Sequence, residues 1–119
     1  MGGYRAERIA ELIHGELASR LRLEVKDPRV EPISITHVAV SRDLRRATIQ
    51  YMPLGGGEIS DDLKEGLEVA ARQLRGRIGR ALRLRYAPEL CFEPDTHTEE
   101  AIRVTRLIDS LGSDRTEER

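Results

Sequence analysis

The stretch ISITHVAVSRDLRRATIQYMP, residues 33–53, has a rhythm unlike anything around it. In its first half Ile33, Ile35, His37, Ala39 and Ser41 alternate with Ser34, Thr36, Val38 and Val40. In its second half Ala47, Ile49 and Tyr51 alternate with Thr48, Gln50 and Met52. A period of two is the mark of half-buried strands. Ser41 and Asp43 supply turn residues between them, so the pattern predicts a β-hairpin with its loop near Arg42–Arg45. On either side the period changes. From Tyr4 to about Leu23, Ile9, Leu12, Ile13, Leu17 and Leu21, with Ala6 and Ala10, recur at spacings of three and four, as on an amphipathic helix. Leu63, Leu67, Ala70, Ala71, Leu74, Ile78 and Leu82 make a second such stripe, expected as two helical segments. A hairpin between helical stripes has one economical solution: a small sheet covered on one face by helices, an α+β two-layer sandwich.

Punctuation places the remaining elements. Pro28 in KDPRV disfavours helix at Asp27 and ends the first stripe. LGGGEISDD is a loop, and Ser60 is suited to cap the next helix, although Leu63 cannot complete a capping box. YAPELCFEPD predicts a strand from about Glu89 to Glu93, entered through Pro88 and closed by Pro94. Thr96 or Thr98 is placed to cap a last helix carrying Ala101, Ile102, Thr105, Leu107, Ile108 and Leu111. Gly112 ends it, and SDRTEER reads as a frayed tail. The expected organisation is one domain over residues 4–111 with a tail at 112–119, and a monomer, because no long apolar edge is evident. A chain of 119 residues buries a little under about 70% of its unfolded surface and needs no staples. With only about three strands, helix-on-sheet burial must supply most of the stability.

Several functional classes are poorly supplied. Cys91 is the single cysteine, so there is no internal disulfide and no thiolate metal cage, which suits a reducing cytoplasm. No apolar run approaches the roughly 18 residues of a membrane span, and MGGYRAERIAELI lacks the apolar core of a signal peptide. His14, His37 and His97 fall on different predicted elements without His or Cys partners at helical spacing, so no metal site is expected. His37 reads as a half-buried strand residue and Cys91, between Leu90 and Phe92, as a small core residue. Asp61-Asp62 and Glu99-Glu100 sit at helix starts, where carboxylates suit the dipole. LGGGEIS lacks the lysine of a phosphate loop. Neither a catalytic constellation nor a cofactor site emerges. One phenylalanine, three tyrosines and no tryptophan argue against a base-stacking sheet of the RRM or OB type.

The feature that does point somewhere is RQLRGRIGRALRLRY. Six of the chain's 20 positive charges lie between Arg72 and Arg85 without a single acid, which leaves 14 to face 21 acids elsewhere. Net charge is only −1, so segregation rather than overall basicity creates a local positive field. At about 100° per residue from Arg72, Leu74, Ile78, Ala81 and Leu82 fall between roughly 180° and 280°, and Arg75, Arg80 and Arg83 lie within roughly 80° either side of Arg72. Arg77 lies toward one flank and Arg85 beyond the helix. Guanidinium forks suit phosphates, and like charges stacked along a helix repel until an anion relieves them. The ridge thus predicts nucleic acid. A second reading leaves it solvated and balanced by acids of neighbouring elements, such as Glu65, Glu68 or the C-terminal tail. A third makes the domain a protein-interaction module that docks an acidic partner. Gly76-Arg77-Ile78-Gly79 also forms a GxxG, readable as the RNA clamp of a KH domain or as a helix-packing feature.

Four stretches carry a wider resemblance: RIAELIHGELASRLRLEVKDPRV, ITHVAVSRDLRRATIQY, RGRIGRALRLRYAPELCFEPD and RVTRLID. In this order and spacing the chain resembles the ribosome-binding factor A family over about Tyr4 to Leu111. The resemblance implies a type II KH-like fold, αββααβ followed by a C-terminal helix. It implies no enzymatic activity and a role, linked to growth in the cold, in late maturation of the 30S small ribosomal subunit and processing of 16S rRNA. It further implies partners in 16S rRNA, the small subunit and an assembly GTPase. An interrupted helix would replace the KH GxxG loop, with its kink at Ala70-Ala71-Arg72, where this chain has arginine in place of the family's glycine. Such an arginine is expected to weaken the kink or move it toward Gly76. The expected RNA-binding residues are Arg72, Arg75, Arg77, Arg80, Arg83 and Arg85, with Lys26, Arg29, Arg45 and Arg46 as a second tier, reading rRNA by shape rather than by base.

Overall fold

The computed structural model describes residues 2–95. The expected C-terminal helix, its caps Thr96 and Thr98, His97, Glu99-Glu100 and the tail lie outside the described residues. Five elements follow one another: α1 (Gly2–Glu24), β1 (Ile33–Val40), β2 (Arg46–Pro53), α2 (Asp61–Ala81) and β3 (Glu89–Pro94). The sheet order is β1-β2-β3, with β1 and β2 antiparallel and β2 and β3 parallel. α1 packs against β1 and α2 against β3, so both helices cover one face, as a two-layer sandwich requires.

The core is the meeting of the predicted stripes. Ala6, Ile9, Ala10, Ile13 and Leu17 of α1 are buried, as are Leu63, Leu67, Ala70, Ala71, Leu74 and Ile78 of α2. Leu12, nominally in the first stripe, is turned outward and 42% exposed. Ala47, Ile49 and Tyr51 of β2 and Leu90 of β3 meet the helices from below. Each fully buried Leu or Ile contributes about 1.5–3 kcal/mol over its exposed state. Ser60 caps α2 as expected, its hydroxyl accepting from the Leu63 N–H at 3.0 Å. The hairpin loop falls where it was predicted. Leu44 N–H donates to the Ser41 carbonyl at 2.9 Å, and Asp43 Oδ1 accepts from the Ser41 hydroxyl at 2.7 Å and the Arg45 N–H at 3.1 Å.

Three expectations need correction. α2 is one continuous helix through Ala70, Ala71 and Arg72, not two segments. Alanine and arginine are among the strongest helix formers, and at Arg72 no glycine offers the backbone a way out. β1 carries a bulge at Thr36: Ile35 pairs with Tyr51 and His37 with Gln50. The extra residue shifts the alternation by one, so Val38 is buried and His37, expected half-buried, is exposed. Cys91, expected in the core, pairs with Thr48 on the sheet face away from the helices and is only half-buried. Burial pushes its thiol pKa up, partly offset by Arg46.

Candidate nucleic-acid interface

α2 carries both the core stripe and the arginines because its turns place them on opposite sides. Arg72, Arg75, Arg77 and Arg80 are all exposed. They do not share one environment. Arg77 leans toward α1, and its Nη1 pairs with Glu24 Oε1 at 3.1 Å. Arg75 donates from Nε to the Ala87 carbonyl at 3.0 Å, which orients the guanidinium. With Arg72 it lines a cleft of about 420 Å³ along β3, bounded by Glu68, Glu89 and Phe92. Glu68 stands one turn before Arg72, yet neither it nor Glu65 forms an ion pair with a ridge arginine among the described residues.

Arg83, expected on the ridge, is off the helix. α2 ends at Ala81 with Leu82 as its C-cap. Arg83 takes the left-handed conformation, φ 55°. Its N–H donates to the Arg80 carbonyl at 3.1 Å, and the Leu84 N–H donates to the Gly79 carbonyl at 2.9 Å. These two bonds are a Schellman termination, with arginine where glycine is customary. The chain then turns back past Arg85, whose guanidinium lies 5.7 Å from the centre of the Tyr86 ring. Gly79 explains the tightness of this return. A Cβ there would lie 2.7 Å from Ala87 Cβ, so the second glycine of the GxxG lets α2 approach the incoming chain. Both glycines lie inside α2, with no loop between helices to act as a clamp.

The second tier divides. Arg45 and Arg46 adjoin the hairpin loop, and the Glu89 N–H donates to the Arg45 carbonyl at 2.8 Å, joining that loop to the start of β3. The hairpin arginines therefore belong to the same end of the molecule as Arg83 and Arg85. Arg29 lies at the other end. Its guanidinium grips Asp27 at 2.7 Å and approaches Glu65 at 3.5 Å. Hydrogen bonds from the Arg29 side chain and N–H hold the Asp27 carboxyl down at about 2, and Asp27 in turn raises the arginine's pKa. This is a turn-locking pair at the entry to β1. Lys26 is exposed in the same connection. Sequence reasoning missed Arg5. It lines a pocket of about 280 Å³ with Asp43, Leu44, Arg83, Arg85 and Tyr86, although it stands 78 positions before Arg83 in the chain. Only the fold brings them together, and no local signal in α1 marks it. Of the expected arginines, Arg72, Arg75, Arg80, Arg83, Arg85, Arg45 and Arg46 have no carboxylate within ion-pair distance among the described residues.

Comparison with known proteins agrees with the resemblance read from the sequence. Residues 5–108 match the family model described as Ribosome-binding factor A. A protein of that name from Thioalkalivibrio sulfidiphilus is 42% identical over 112 residues, which cover 93% of this chain and 87% of the relative. Its counterpart from Acetivibrio thermocellus is 42% identical over 110 residues, covering 92% and 89%. The crystal structure of ribosome-binding factor A from Thermus thermophilus superposes with a TM-score of 0.64 at 21% identity, over 75% of this chain and 94% of that one. The solution NMR structure of a Thermotoga maritima protein gives 0.65 at 30% identity, over 76% and 87%.

Proposed function

The chain belongs to the ribosome-binding factor A family, with the KH-like fold of that family, and from this premise we propose that it binds the immature small ribosomal subunit through 16S rRNA and assists its late maturation. Contact is made by the end of the molecule where α2, the hairpin loop and the α2–β3 connection meet. The observation that carries this reading is the set of guanidiniums that have no carboxylate partner among the described residues: Arg72, Arg75 and Arg80 on the helix, Arg83 and Arg85 beyond it, and Arg45 and Arg46 beside the loop. Holding like charges together is unfavourable in the free protein. A phosphate backbone relieves it and releases condensed counterions, so affinity falls steeply with salt. Arg77 and Arg29 are occupied by Glu24 and Asp27 and contribute less. No GxxG clamp is needed, since the arginines address phosphates from a rigid helix and its termination.

The test is co-sedimentation with isolated small subunits across a series of salt concentrations. Replacing Arg72 and Arg80 with alanine weakens binding and flattens the dependence of log K on log salt by about 0.7–0.9 for each phosphate no longer neutralised. An unchanged slope removes the ridge from the mechanism. Preference for an acidic protein over a 16S rRNA fragment in direct competition overturns the RNA reading altogether.

A further inference from the structure

We propose that the pocket between the start of α1, the hairpin loop and the α2–β3 connection receives one unstacked nucleotide of single-stranded RNA, with its base laid on Tyr86. The proposal rests on the RNA-binding reading above and adds to it a base-contacting site. Tyr86 is 66% exposed, whereas Tyr51 is buried and Phe92 half-buried. Isolated exposed apolar residues are ordinary, and Leu12, Leu23 and Leu54 need no explanation. Tyr86 differs in its setting. It lines a pocket of about 280 Å³ together with the apolar Ile9, Leu44 and Leu84 and the cationic Arg5, Arg83 and Arg85. Arg85 already lies by the ring at cation–π distance. An aromatic face flanked by arginines is how proteins hold an unpaired base and its phosphate together. The volume is at the small end for ligand sites, which begin near roughly 300 Å³, so it suits a base and not the flank of a duplex.

Asp43 sharpens the assignment. Asp43 shapes the hairpin turn and also stands at the pocket among three arginines. Beyond that turn, a carboxylate there can accept from the amino or imino hydrogens of a base. Its Oδ1 is taken by the Ser41 hydroxyl and the Arg45 N–H, which fixes the side chain. The same bonds hold the carboxyl below its usual pKa and so ionised at neutral pH. The pocket thus offers a stacking face and two phosphate donors on the α2–β3 connection, an acceptor on the hairpin loop and a third donor on α1.

The probe is a short oligouridylate carrying a single 2-aminopurine, compared with the same strand in a blunt duplex. Wild-type protein quenches the 2-aminopurine fluorescence of the single strand. Tyr86→Ala abolishes the quench and weakens single-strand binding about tenfold with the salt slope unchanged. Tyr86→Phe keeps both, and duplex binding is the same in all three. The unfolding midpoint of Tyr86→Ala, expected at the wild-type value, controls for folding. The proposal is overturned if Tyr86→Ala quenches and binds like wild type, or if it loses single strand and duplex equally. It falls alone if small-subunit binding persists meanwhile. Conversely, quenching by a protein that ignores small subunits sinks the broader reading and leaves the nucleotide site standing.

Discussion

At the scale of single residues, Arg83 joins stability and binding in a way that can be pulled apart. An L-residue with a side chain costs about 1–2 kcal/mol in the left-handed region, and the Schellman termination of α2 places Arg83 there. Glycine relieves that cost but loses more backbone freedom on folding. Arg83→Gly is therefore expected to stabilise the protein by about 0.5–1 kcal/mol in urea unfolding, while weakening RNA binding because a phosphate donor is gone. A better-folded protein that binds worse cannot owe the loss to unfolding. Equal or lower stability would mean that the side chain's own contacts outweigh the strain. The position was not legible beforehand. Helical spacing projected through Arg83 put it on the ridge, and no glycine or proline within LRLR marks the helix end at Ala81. His37 was misplaced for a related reason. The bulge at Thr36 leaves no trace in a run of alternating residues, because alternation counts positions and not pairings.

Among the elements, α2 decides what the two glycines of the GxxG are for. Its apolar stripe, its cap at Ser60 and its outward arginines were readable, since each follows from residue type and a 3.6 period. Its continuity was not. The kink expected at Ala70-Ala71-Arg72 came from the resemblance alone, and the strong helix formers at these positions carry α2 straight through. The glycines themselves do different jobs. A methyl group at Gly79 would lie 2.7 Å from Ala87 Cβ and 3.2 Å from its Cα, and backbone cannot step aside cheaply. At Gly76 the nearest atom is the flexible tip of Arg80, 3.4 Å away. Helix propensity favours alanine over glycine by up to about 1 kcal/mol at either site, whereas overpacking costs about 1–3 kcal/mol. Gly76→Ala is thus expected to raise the unfolding midpoint and Gly79→Ala to lower it. RNA affinity of Gly76→Ala should match wild type. A loss there, in a stabilised protein, would restore the clamp that the continuous helix argues against.

Across the whole molecule charge is sorted by the direction of the strands. β2 runs eight residues from Arg46 to Pro53, about 23 Å at roughly 3.3 Å per residue. At its start stand the hairpin arginines and the returning chain of Arg83 and Arg85. Near its end lie the turn of Asp27 and Arg29 and the first turns of α2, with Asp61, Asp62 and Glu65, where Gly66 lets Val30 pack close. The separation exceeds twice the screening length of about 8 Å at physiological salt, so the acidic end does not cancel the field of the basic one. A polyanion should therefore approach with the hairpin end leading. Replacing Arg45 and Arg46 with alanine is expected to weaken small-subunit binding and to flatten its salt dependence by about 0.7–0.9 per phosphate left without its arginine. Replacing Arg22 and Lys64 removes the same charge from the last turn of α1 and the first turn of α2, and should change neither. The paired design matters because both variants shift net charge equally. If affinity followed net charge alone, the two would fall together, and the polarity built by the fold would have no part in binding.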